Sequence, residues 1–170
     1  MPKIFIGMKR IQLLSIAILT LLLFNNCGSL KAPAIHQFSS IDGYRYVFIT
    51  PTAELTSSTG VAYAVGNGLY GNTSKTINPS DVISGIFLKN GFIRLPELKP
   101  DLLDQTIVVN YGESGRRNKG LGYTIEVTIQ ILSAKTSEPI CICTAEGQGE
   151  TEADDVRIAI NRALSPLFGN

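Results

Sequence analysis

The run GYTIEVTIQIL, residues 122–132, constrains this chain more than any other stretch. Tyr123, Ile125, Val127, Ile129 and Ile131 alternate strictly with Thr124, Glu126, Thr128 and Gln130. Successive side chains of a strand leave on opposite faces, so one face here is apolar and the other polar. A strand buried on both faces would instead read as a continuous apolar run. The pattern predicts an antiparallel sheet with one side packed and one side wet, and the rest of the chain has to cover the packed side.

Neighbouring segments supply the sheet. SAKTSEP turns the chain, and ICICTAEG returns as a hairpin partner. TIVVNY (106–111) reads as a strand, FIRLPEL as a strand broken at Pro96, and LKPDLLDQ between them as a turn. GYRYVFITP (43–51), aromatic and β-branched up to Pro51, is the first strand.

Two helices supply the cover. Asn78 is a good cap and Pro79 suits the first helical position. Val82, Ile83, Ile86 and Phe87 then fall on one side, and Asn90-Gly91 is a left-handed stop. Thr151 opens the second helix with Asp154 in the capping-box place. Its apolar stripe is Val156, Ile160, Ala163, Leu164 and Leu167, and Pro166 marks its end. The predicted fold is α+β, a two-layer sandwich of order βαββββα over residues 43–170. One mostly antiparallel sheet of about five strands carries two helices on one face. The first strand and the one after the first helix run parallel through a right-handed crossover.

Residues 52–77 break this regularity. They are dominated by Gly, Ser, Thr and Asn, with Tyr63 and Tyr70. A structureless stretch of that length is unusual inside a compact domain. It reads as a long Gly/Tyr-rich loop or as a short hairpin turning at Gly66-Asn67-Gly68.

Ahead of the domain, Met8-Lys9-Arg10 gives a positive start to the 14-residue apolar run IQLLSIAILTLLLF, residues 11–24. A helix needs about 20 such residues to span a bilayer, whereas a charged start and a run of this length have the form of a secretory signal. MPKIFIG adds little to it, and Met8 is a second candidate start. Cys27 stands just past the run. That placement resembles bacterial lipoprotein signals, in which the cysteine is diacylated through its thiol and becomes the mature N-terminus. The family pattern has Leu three residues before the cysteine and Gly, Ala or Ser just before it, where this chain has Phe24 and Asn26. An ordinary secretory signal with an incidental cysteine, or an uncleaved anchor, are the other readings.

The resemblance implies a signal peptide over 1–26, then the lipidated Cys27 and a flexible leader over 27–42. Two or three acyl chains anchor stably, at about 0.8 kcal/mol per buried methylene. No acid follows Cys27, which within that family implies the periplasmic face of the outer membrane in a bacterial cell envelope.

Composition excludes more than it suggests. Residues 1–26 hold Lys3, Lys9 and Arg10 and no acid, so of 15 basic and 14 acidic residues, 12 and 14 remain beyond them. A balance so even argues against nucleic acid as a partner. His36, the only histidine, lies in the leader, far from any candidate nucleophile. Ser-x-x-Lys does not occur. Cys141 and Cys143 share one face of a strand without histidines to complete a zinc site, and read as free packed thiols. GESGRRNKG (112–120) has Leu121 where a phosphate loop needs lysine, and reads as a solvated hairpin loop. Glu150, Glu152, Asp154 and Asp155 suit the start of a helix rather than a cation loop. No catalytic residue, metal site or cofactor is expected.

What remains is surface. Arg116, Arg117 and Lys119 are the best candidates for an anionic partner, and Thr124, Glu126, Thr128 and Gln130 form a polar row on the wet face of the sheet. A flat, hydrogen-bonding face suits protein or glycan contacts better than a small molecule. From Gly43 to Leu167 the arrangement resembles bacterial envelope lipoproteins of a domain-of-unknown-function family, through KNGF, PDLLDQTIVVNY, YTIEVTIQILSAKT, TAEGQGE and RIAINRAL. More distantly it is similar to small α+β modules of periplasmic assembly lipoproteins, such as activators of penicillin-binding proteins and the curli secretion lipoprotein. The resemblance implies a non-catalytic binding or assembly module, held to the lipid bilayer through Cys27 and meeting an envelope protein or glycan. The alternative is a periplasmic hydrolase using paired carboxylates.

Overall fold

A computed structural model describes residues 29–51, 55–59, 64–65, 68–69, 73–119 and 122–169. Cys27 and the apolar run before it lie outside these residues. The strands are β1 (Ala34–Gln37), β2 (Tyr46–Ile49), β3 (Leu55–Thr59), β4 (Ala64–Val65), β5 (Gly68–Leu69), β6 (Thr73–Ile77), β7 (Ile93–Arg94), β8 (Thr106–Lys119), β9 (Gly122–Ser133) and β10 (Pro139–Gly147). The helices are α1 (Pro79–Lys89) and α2 (Glu152–Phe168), with a 3₁₀ turn at Pro100–Gln105.

The fold is α+β. One mixed sheet of six strands has the order β1-β10-β9-β8-β2-β7. Pairing is antiparallel from β1 to β8, while β2 runs parallel to both β8 and β7. The apolar side of β9 is the core except at Tyr123, which is exposed: Ile125, Val127, Ile129 and Ile131 are buried, joined by Val47, Ile107 and Val109 from the neighbouring strands. Ile83 and Phe87 of α1 and Ile160 and Leu164 of α2 close that side. Burying side chains of this size contributes about 1.5–3 kcal/mol each. Cys141 and Cys143 sit in this core as free thiols with their sulfurs 3.2 Å apart. The Cys141 sulfur and burial together push the Cys143 thiol well up, so it stays protonated.

The helix termini follow their capping residues. The Asn78 side chain accepts from the Ser80 N–H at 3.0 Å. The Thr151 hydroxyl accepts from the Asp154 N–H at 3.2 Å and donates to its carboxylate at 2.8 Å. Gly91 takes φ +87° after the Asn90 cap. The second helix does not stop at Pro166 but runs to Phe168 and ends on Gly169 at φ +69°. Proline's fixed φ is helical, and Pro166 forfeits only the one backbone bond that an N–H there would make to the Arg162 carbonyl. The extra turn brings Phe168 edge-on to Phe87 at 5.3 Å and beside Phe92 at 6.3 Å.

Two other expectations are corrected. Part of the flexible leader is a sixth strand: β1 pairs with β10 from Ala34↔Thr144 to Gln37↔Cys141. AIHQ has little apolar signal because the strand is an edge, held by the backbone of β10 with only Ile35 partly buried against the core. GESGRRNKG is not a loop up to Lys119. Strand β8, 14 residues long, continues through it to Lys119, with a bulge between Glu113 and Gly115. Glycine, serine and charged residues disfavour strands, and the facing half of β9 overrides that preference. In the 52–77 stretch, β3 pairs with β6 and β4 with β5, the latter joining Val65 to Gly68. This agrees with the hairpin reading, although residues 66–67 lie outside the described set.

The tightest packing constraint is at the end of β10. A Cβ added to Gly147 would stand 1.9 Å from the Asp155 carbonyl oxygen and 2.6 Å from the Ala159 nitrogen. Both atoms belong to the backbone of α2 and cannot step aside. Gly147→Ala should therefore cost at least the 1–3 kcal/mol typical of overpacking, read as a drop in Tm of several degrees or loss of soluble protein. A Tm within about 1 °C of wild type would mean that α2 does not lie on this strand.

Candidate functional site

The face of the sheet turned away from the helices is built by strand parity. Even-numbered residues of β9, and those of β10 beyond the register shift at Pro139–Cys141, project onto it, and the register aligns them into rows across the strands. Phe48, Val108 and Leu132 make one row. Asn110, Gln130, Ile142 and His36 make the next, then Gly112, Thr128, Thr144 and Ala34. The fourth row holds Gly115, Glu126 and Glu146. The face thus changes from apolar near the β9–β10 turn to charged near the β8–β9 end. Most of these side chains are partly exposed.

The expected residues separate on this frame. Thr128 lies in the middle of the face and shares a hydrogen bond with Thr144 at 3.0 Å. Gln130 and Glu126 flank it. Thr124 is on the same side but only 1% exposed, its hydroxyl turned to the Arg117 carbonyl at 3.4 Å. The bulge at Glu113/Gly115 inverts parity, so Arg117 falls on this face and Arg116 on the helix side. Arg116 is bound there by Glu113 and Glu152, which push its pKa further up, and it lies over the Tyr123 ring at 5.2 Å. Lys119 ends β8 without an ion pair among the described residues. The three cations therefore do not form one free anion-binding site.

Sequence reasoning missed the centre of the charged row. Glu146 is 1% exposed and stands directly opposite Glu126. Like charges so placed repel. Two cations offset this. Arg117 donates Nε to Glu146 Oε1 at 2.8 Å and NH2 to Oε2 at 2.7 Å. Lys31 donates its backbone N–H to Oε2 at 2.9 Å, with its Nζ 3.4 Å from Glu146 and 3.7 Å from Glu126. Ser114 donates to Glu126 Oε1 at 3.0 Å. Arg162 reaches in from α2, donating to the Glu146 and Lys31 carbonyls. The alternation Ile142, Thr144, Glu146 along β10 placed Glu146 on this face, but nothing in the sequence pairs it with Lys31, 115 residues away.

Arg117 above all, then the Lys31 N–H, holds the Glu146 carboxyl down at about 2 against its burial. An ionised, fully bonded carboxylate accepts hydrogen bonds but has no proton to give near neutral pH. The Glu146 carboxylate is thus held charged within this row by its bonds to Arg117 and Lys31.

A second feature lies at the opposite end of the sheet. Phe38, Tyr44, Asp104, Lys135 and Glu138 are among the residues around a cleft of about 490 Å³. Lys135 and Asp104 close an exposed ion pair across it at 2.6 Å. Among the described residues, no helix is long and apolar enough to cross a membrane, and no His, Cys, Asp and Glu side chains gather as a metal site.

The chain matches no protein-family model and no curated protein. Among solved structures it is similar to PelC from Paraburkholderia phytofirmans, a dodecamer. One crystal form, of a point variant, shares 14% identity over 80% of this chain and 97% of that one, with a TM-score of 0.46. A second shares 12% identity over the same fractions, with a TM-score of 0.41. Likenesses this distant carry no functional implication.

The charged row predicts an acid limb in stability. Because the folded Glu146 pKa lies below the ordinary 4.5, its contribution is complete above pH 4.5 and is lost as pH falls towards 2. Glu146→Gln should lower Tm at neutral pH and flatten the Tm profile between pH 4.5 and 2. A variant profile parallel to wild type across that window would remove Glu146 from the stabilising network.

Proposed function

We propose that this chain is an envelope lipoprotein anchored through an acylated Cys27. Its folded part acts as a non-catalytic binding or assembly module on the periplasmic face of the outer membrane. The partner, an envelope protein or glycan, meets the sheet face that bears Thr128 and Gln130. One observation carries the choice over a carboxylate hydrolase. The carboxylates that stand opposed on this face are Glu126 and Glu146, and Glu146 is kept ionised by two bonds from Arg117. Both Glu146 oxygens are taken up by Arg117 and Lys31, so neither is free to attack a substrate or activate a water as a hydrolytic pair requires. The held charges instead suit a preorganised surface whose side chains lose little freedom when a partner binds.

Mass spectrometry of the protein extracted from producing membranes should find a diacylglyceryl cysteine at position 27 as the mature N-terminus. An unmodified Cys27 in a fully soluble product would refute the anchor. The binding face has its own test. Thr128→Arg removes one neutral hydrogen bond, worth about 1 kcal/mol, so the domain should stay folded while losing whatever co-purifies with wild type. Val127→Asp, one residue away, should unfold it by burying an unpaired charge. A partner retained at full occupancy by folded Thr128→Arg would move the binding site elsewhere.

A further inference from the structure

The arm before β2 is fastened along one edge of the sheet, and the fastening has a direction. Lys31 is held at Glu146 and by Arg162, and the chain then pairs with β10 from Thr144 to Cys141. It reaches Phe38 and Ser39, whose N–H groups both donate to the Ile140 carbonyl, at 2.9 and 3.2 Å. From Glu146 to Ile140 is about 20 Å of strand. The arm therefore begins at the charged end of the sheet and finishes beside the cleft at the other end.

Cys27 lies only four residues before Lys31, a reach of at most about 14 Å. On the opposite side of the charged row, β9 continues from Glu126 back to Gly122, also about 14 Å. The tether at full stretch can thus reach about as far past the row as β9 does at Gly122. At that hairpin end stand Tyr123, 37% exposed, and Lys119, opposite Gly122 in the register. Both residue types sit well at a membrane–water interface. Exposed Glu150 is close by in sequence to Gln148, whose amide nitrogen neighbours Gly122. The surface is mixed in charge, so the short tether rather than electrostatic attraction must set the contact.

We infer that the domain stands on the bilayer on the β8–β9 end of its sheet, with Lys119 and Tyr123 at the phospholipid headgroups and the cleft at Phe38, Tyr44 and Lys135 turned away. This rests on Cys27 being the point of attachment. The clamp at Lys31 and the four-residue tether leave too little slack for the domain to turn over, so a partner approaching from the aqueous side meets the cleft end first.

The test uses the mature-length chain, residues 27–170, coupled through Cys27 to a maleimide phospholipid in phosphatidylcholine nanodiscs. A headgroup spin label then broadens the NMR signals of nearby amides. Lys119, Tyr123 and Glu126 should broaden at least fivefold more than Ser133, Lys135 and Glu138. Inserting twelve Gly/Ser residues between Gly28 and Ser29 should abolish the difference while leaving the spectrum of the domain unchanged. Equal broadening at both ends without the insertion, or stronger broadening at Lys135, overturns the orientation. The coupling is chemical, so this result is independent of cellular acylation, which the mass of the native protein reads separately.

Discussion

One face of β9 is apolar and cannot be left in water, and the architecture follows from that constraint. Ile125, Val127, Ile129 and Ile131 are fully or almost fully buried because α1 and α2 lie on their side. Both helices serve as that cover, and Phe87, Ile160 and Leu164 have no surface left for anything else. The other face carries the alternating polar partners. A two-layer domain of this kind has one side that is structural and one that is available for contact.

The available face is not uniformly wet. Glu146 is among its least exposed members, beside Glu126, and an isolated carboxylate there would be costly. Arg117 and Lys31 convert that cost into a restraint. The arm that carries Lys31 is 115 residues distant in sequence and joins the fold through this pairing, the Arg162 bonds and the β1–β10 ladder. Ordering a backbone costs about 1–2 kcal/mol per residue, which four mostly exposed residues of β1 do not recover from burial alone. The ion pair, the Arg162 bonds and the ladder together have to supply it. That is a structural role for charges in a row that otherwise resembles a carboxylate dyad.

Local signals made much of this legible. The alternation of β9, the Asn78-Pro79 and Thr151 caps, and the apolar stripes of both helices each depend on neighbours a few residues apart, and each appears where its pattern places it. The failures all involve distant partners. Nothing in AIHQ marks a strand, since β1 exists because β10 offers an edge. GESGRRNK is a poor strand sequence made into one by the facing half of β9, and its bulge sends Arg116 and Arg117 to opposite sides. Pro166 reads as a stop because the pull of Phe87 and Phe92 on Phe168 is tertiary. The site suffered most, since Glu146 gains its meaning from Lys31 and Arg117, neither near it in sequence.

Amide hydrogen exchange at Lys31 and Phe38 tests the clamped arm most directly. The Lys31 N–H is held by Glu146 and the Phe38 N–H by Ile140. Both should exchange at least a hundredfold more slowly than an unstructured peptide, and Glu146→Gln should release Lys31 while Val127 and Ile129 stay protected. Exchange of both amides at the unstructured rate in the wild-type protein would contradict the clamp, and would return residues 29–38 to the flexible leader that the sequence alone suggested.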